Sequence, residues 1–186
     1  MDEKKILNKL KSLLALPRFK HSLRVREKVL HLSKHHRIDL KKASIAGLLH
    51  DVSRFMGKEQ LLKLAKKLKL KMDPISRLEP KLLHAPLSAY IARTSFGIKD
   101  KQILKAISNH TLGRPNMSML EKIVYIADHT EEGRTHAGVR QARHFAKSDI
   151  NKAIAVIASS MIRYLLSKDL PIHPKTVEVR NYYLLK

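Results

Sequence analysis

Ile45-Ala46-Gly47-Leu48-Leu49-His50-Asp51 is an apolar run that ends abruptly on an imidazole and a carboxylate. Its apolar part predicts a buried helix, about Leu40 to Val52, with Ile45, Leu48 and Leu49 facing inward. Successive side chains on a helix point about 100° apart. His50 and Asp51 can therefore reach one point only beyond the helix end or at its rim. A lone histidine or a single His-Asp pair is usually an ordinary hydrogen-bonded feature, so the neighbouring segments decide the reading.

Outward from this run, apolar residues recur at helical spacing and no alternating strand pattern is present. Leu7, Leu10 and Leu14 mark one helix, interrupted by Pro17. A second runs from about Arg18 to His36 with Val25, Val29 and Leu32 inward. A basic helix follows Gly57, and Asp73-Pro74 reads as an N-cap with a first-turn proline. His84 to Phe96 is helical with Gly97 as its stop, and Asp100 caps a helix ending near His110. Ser118-Met119-Leu120-Glu121 has capping-box spacing ahead of Ile123, Val124 and Ile126. Helices at about 138–146, 149–167 and 176–185 complete the chain. The expectation is an all-α bundle of about eight to ten helices in a single domain spanning residues 1–186. An N-terminal helix (1–16) precedes a core of about 17–186, a length that suits one domain.

Composition narrows the chemistry. There is no cysteine, which removes disulfides, thiolate metal sites and cysteine nucleophiles and suits a reducing cytoplasm. No segment has the roughly 20 apolar residues of a membrane span, and the N-terminus lacks a signal-peptide apolar region. A cytoplasmic location is expected. Lys and Arg number 38 against 16 Asp and Glu, a formal net charge of +22. Such a surplus attracts polyanions, whether nucleic acid, anionic lipid or a polyphosphate substrate, or else decorates solvated helix faces; charge alone does not choose.

His21 lies one helix before His50-Asp51, and Asp128 lies on a later apolar helix. Two imidazoles and two carboxylates suit iron, manganese or zinc better than calcium or copper(I). His84 and His110, also beside helix ends, are candidates for a second ion sharing Asp51. The ordered set His, His-Asp, His, His, Asp over consecutive helices is specific where its single members are not.

That order resembles the HD superfamily of metal phosphohydrolases, and so implies an HD-domain helical bundle. Arg18-Phe-Lys-His21-Ser, Leu48-Leu-His-Asp51, Leu83-His-Ala-Pro86 and Glu121-Lys-Ile-Val-Tyr-Ile-Ala-Asp128 are similar, more narrowly, to the bacterial YqeK family of symmetric dinucleoside tetraphosphate hydrolases. So are His110-Thr-Leu-Gly-Arg-Pro-Asn-Met-Ser118, Glu132-Gly-Arg134, Pro171-Ile-His-Pro174 and Arg180-Asn181-Tyr182. The likeness covers nearly everything after Pro17. It implies hydrolysis of diadenosine tetraphosphate to two ADP at an iron-type centre. By position, His21, His50, Asp51 and Asp128 would be metal ligands, and Asp51, His84 and His110 the catalytic groups. His84 and His110 would face a second metal or the phosphates, and one of them, if not a ligand, could protonate the leaving group. Arg18, Arg54, Thr111, Asp128 and Arg134 would contact nucleotide, with Pro171, Ile172, His173, Pro174 and Thr176 beside base or ribose. The family usually carries lysine near Arg54; arginine keeps the charge but offers a fork.

Other features have plainer readings. His31 and His35 have metal-ligand spacing but no carboxylate on their face, and read as a surface pair. His129, His136 and His144 receive no role. The basic stretch from Lys58 to Lys71 reads as a core-facing helix with solvated lysines rather than a membrane or RNA surface. Rival functions are an HD hydrolase acting on another nucleotide, or a basic RNA-binding or ribosome-associated module with salt-dependent affinity.

Overall fold

The computed structural model describes residues 2–186, and all regular structure among them is helical. The helices are α1 (Glu3–Leu13), α2 (Leu16–His35), α3 (Leu40–Leu49), α4 (Lys58–Lys67), α5 (Pro74–Leu78), α6 (His84–Ser95), α7 (Lys101–Asn109), α8 (Met119–Thr130), α9 (Val139–Ser148), α10 (Ile150–Leu166) and α11 (Pro174–Leu184). Single 3-10 turns cover Val52–Phe55 and Pro80–Leu83. Eleven helices exceed the eight to ten expected because short segments such as the five-residue α5 stand alone. None of the described helices is long and apolar enough to cross a membrane.

Local chemistry explains the boundaries. Pro17 lacks an N–H and so sits in the first turn of α2, where that donor has no partner to lose. Asp73 caps α5 by accepting from the Ser76 N–H at 2.9 Å. Ser118 and Glu121 form both halves of the capping box that starts α8. Gly97 follows the end of α6 at φ +67°, a conformation that costs a side chain.

The buried stripes meet in one large cluster that draws on α1, α2, α3, α6, α7, α8, α9, α10 and α11. Leu61 and Ala65 of α4 enter a smaller cluster with Leu83 and Leu87, while Lys63, Lys66, Lys67 and Lys69 are exposed. The basic stretch is thus a core-facing helix with a wet lysine face.

Helix α3 lies against α2 and carries His50 toward His21. The approach is close at Gly47, where an added Cβ would stand 3.0 Å from Arg26 Cα, a backbone atom that cannot swing away. Gly47→Ala should force α2 and α3 apart and destabilise the fold by about 1–3 kcal/mol. Chemical denaturation would show a lowered midpoint at unchanged slope; an unchanged midpoint would mean the helices are not tightly docked here.

Candidate metal centre

The helix of His50 stops where the chemistry needs it to. Leu49 is the last residue of α3, His50 keeps helical angles as its C-cap, and Asp51 departs at φ −107°, ψ 15°. The two side chains therefore converge from beyond the helix end. His110 repeats the device at the end of α7, and His84 is the first residue of α6. His21 and Asp128 come from within α2 and α8.

These elements gather four imidazoles and two carboxylates. His21 Nε2 lies 3.1 Å from Asp128 Oδ1, 3.3 Å from His50 Nε2 and 3.7 Å from Asp51 Oδ2. His50 Nε2 is 3.6 Å from the same Asp51 oxygen. The other oxygen, Asp51 Oδ1, lies 3.2 Å from His84 Nε2 and 3.6 Å from His110 Nε2, which are 3.0 Å apart. Asp51 thus turns one oxygen to each histidine pair. All four histidines and Asp51 are buried.

The outer ring nitrogens fix the direction of each imidazole. Nδ1 of His50 donates to Gly47 O at 2.8 Å, that of His110 to Ile107 O at 2.7 Å, and that of His84 to Lys81 O. His21 Nδ1 donates instead to the Glu131 carboxylate at 3.2 Å. With Nδ1–H committed outward, every Nε2 atom faces the cluster, so that each ring can present its Nε2 lone pair to a metal once that nitrogen is unprotonated. Burial pushes His50 down to about 4, so it is neutral near pH 7. Burial alone would raise Asp51 and Asp128. For Asp51 the opposing effect of His50, His110 and His84 wins, and for Asp128 that of His21, His129 and His50; both carboxyls stay well below their usual range. Ligands bound at about 2.1 Å stand about 3.0 Å apart at right angles and about 3.4 Å apart at tetrahedral angles, and these Nε2 and carboxylate atoms lie 3.0 to 3.7 Å apart. The donor set therefore fits a divalent cation of the iron, manganese or zinc type.

The cluster floors a cavity of about 1010 Å³. Arg18, Asp51, Arg54, His84, Thr111, Asp128, Arg134, Pro171, His173 and Thr176 all line it; Ile172 and Pro174 are not among its lining residues. Arg18 Nη1 donates to Asp51 Oδ2 at 2.7 Å, and Arg134 Nη2 to Asp128 Oδ1 at 2.6 Å. Both guanidiniums thus stand at the edge of the cluster. Thr111 Oγ1 sits 3.0 Å from His84 Nε2 and 3.2 Å from His110 Nε2. An apolar wall that includes Ile157, Met161 and Tyr164 of α10 faces them.

Residues 110–118 and the C-terminal segment, far apart in sequence, support each other here. Gly113, at φ +69°, leaves room for Val179, which an added Cβ would meet at 3.2 Å. Tyr183 Oη accepts from the Met117 N–H at 2.7 Å.

Some residues gain places that sequence reading did not assign. Glu131 is buried beside His21. His129 is buried, donates Nδ1–H to Tyr125 O at 2.9 Å and also lines the cavity. His31 and His35 are exposed on α2, away from the carboxylates of the cluster.

A helical bundle that converges histidines and aspartates on one buried point defines the class, and the HD-domain family matches residues 18–133. Over 186 residues the chain is 39% identical to the symmetrical bis(5'-nucleosyl)-tetraphosphatase of Halalkalibacterium halodurans, covering 100% of this chain and 99% of that one. The protein of the same name from Bacillus subtilis is 33% identical over 182 residues, 98% of this chain and 97% of its own. A crystal structure of a predicted HD superfamily hydrolase involved in NAD metabolism from Clostridium acetobutylicum superposes with a TM-score of 0.94 at 36% identity. It covers 100% of this chain and 98% of that one. The chain belongs to the HD-domain family of symmetrical bis(5'-nucleosyl)-tetraphosphatases.

Proposed function

We propose that this protein hydrolyses diadenosine tetraphosphate symmetrically to two ADP, acting as one unit over residues 1–186. The observation that carries the reading is Asp51, whose two oxygens face two histidine pairs at the floor of a cavity lined by arginines.

His21, His50, Asp51 and Asp128 would hold a divalent metal, iron first and manganese or zinc as alternatives, and His84 with His110 a second ion across Asp51. A cation there supplies charge neutralisation and a bound water acidified toward a pKa of about 7. The remaining work falls to the chain. Arg18, Arg54 and Arg134 cancel phosphate charge, and a guanidinium with one or two N–H groups on a carboxylate still has others for phosphate. Thr111 lies where its hydroxyl can bridge the two histidines and a phosphate oxygen. His84 lines the cavity and His110 does not, so His84 is the better placed to give a proton at Nε2 to the departing ADP wherever it is not a ligand. Pro171, His173 and Thr176 would flank base or ribose, with Ile172 and Pro174 acting through the backbone between them. The charge of +22 draws a polyanionic substrate inward and gives the protein surface a salt-sensitive secondary affinity for RNA or acidic surfaces.

Incubation of the metal-loaded protein with diadenosine tetraphosphate, with chromatography of the products, tests this. ADP as the only product, lost on chelation, is expected. ATP plus AMP would overturn the symmetric assignment, and no turnover at full metal occupancy would overturn the substrate.

A further inference from the structure

Three of the four clustered histidines are oriented by backbone carbonyls just before them in the chain. His50, His84 and His110 each turn Nδ1 to the carbonyl three residues earlier, at or beside a helix end where such a carbonyl is available. His21, inside the 20-residue α2, makes no such bond. Its Nδ1 turns away from its own helix to a carboxylate of another element.

We propose that Glu131 is the positioning residue for His21, and so sets the affinity of the metal centre; this rests on the metal-centre reading above. Glu131 follows the last residue of α8 and is only 2% exposed. Its Oε1 accepts from His21 Nδ1 at 3.2 Å, while Oε2 accepts from Arg24 Nε at 2.5 Å and from the Gly133 N–H at 2.6 Å. The carboxylate is thus fixed from two further directions and cannot follow the ring if the ring turns. The turn that carries it is fixed as well. Arg143 of α9 donates to the carbonyls of Thr130, Glu131 and Arg134 at 2.9, 2.7 and 3.1 Å. At Gly133 a Cβ would approach Arg24 Nη2 to 2.9 Å and Glu131 Oε1 to 3.1 Å. The consequence appears at the other side of the imidazole, where Nε2 stands 3.1 Å from Asp128 Oδ1. A carboxylate on Nδ1–H also makes Nε2 a stronger donor than a carbonyl does. Of the four, His21 is therefore the imidazole tuned by a charge.

The rival is a purely structural Glu131–Arg24 ion pair, and two variants separate them. Manganese titration by calorimetry should show about tenfold or greater weakening in Glu131→Gln, within the range for such partners. Arg24→Met, which removes the ion pair and leaves the carboxylate on His21 held by the Gly133 N–H, should weaken binding clearly less than Glu131→Gln does. Equal affinity of Glu131→Gln and the parent, or equal losses in the two variants, would overturn the proposal. Should Glu131→Gln fail to fold, the zinc-loaded parent still decides. A slowly exchanging His21 Nδ1–H resonance is expected by NMR, and a freely exchanging one would overturn it. Metal affinity is read without turnover, so failure on diadenosine tetraphosphate leaves this test standing.

Discussion

Asp51→Asn should lower turnover of diadenosine tetraphosphate by roughly 10³ or more. Metal-ion catalysis contributes several kcal/mol of charge stabilisation, and each 1.4 kcal/mol is a factor of ten in rate. Asp51 turns an oxygen to each histidine pair within 4 Å, so its loss removes charge from the whole cluster. Asparagine keeps the shape but is neutral, and its amide nitrogen would turn a donor rather than a lone pair toward one pair of imidazoles. Bound metal should fall with activity, measured by elemental analysis beside single-turnover kinetics. Full metal content with activity within tenfold of the parent would remove Asp51 from the centre of the mechanism.

Why this centre was legible in the sequence, and its support was not, has a physical reason. His50-Asp51 announced itself because a helix of apolar residues ended on it, and a helix end is where two adjacent side chains can converge. Ser118 and Glu121 were legible because a capping box is a contact across three residues. Glu131 serves a histidine 110 positions away, and nothing local distinguishes it from its exposed neighbour Glu132. Its only signal was a place in the turn after the Asp128 helix. The contacts of Val179 with Gly113 and of Tyr183 with Met117 were hidden for the same reason. The sequence resemblance included both segments without saying that they touch. Short-range rules found the elements and the helix-end histidines and aspartate; the groups that hold them in place act over long range.

Glu121→Ala should cost about 3 kcal/mol of stability. The carboxylate is 1% exposed and takes two bonds of 2.7 Å from the Arg114 guanidinium, one of 2.8 Å from the Ser118 N–H and one of 2.8 Å from Asn109 Nδ2. Removing one partner of a buried pair costs about 3–5 kcal/mol, and Arg114, partly open to water, pulls the expectation to the low end. For a chain of this size that is a fall of roughly 6–12 °C in melting temperature. The residue ties α7, the 110–118 loop and the start of α8 together, so the variant should also weaken substrate binding by releasing Thr111. The pH dependence follows from the same contacts. Burial works to raise the Glu121 carboxyl, but Arg114 and Ser118 outweigh it and hold it below its ordinary value. A depressed carboxyl stabilises the fold fully above the unfolded carboxylate range, near 4.3, and loses that contribution as pH falls through the folded value. Melting curves of parent and Glu121→Ala should therefore differ most at neutral pH and converge in acid. A gap that stays constant into the acid range would mean that Glu121 acts through packing rather than charge.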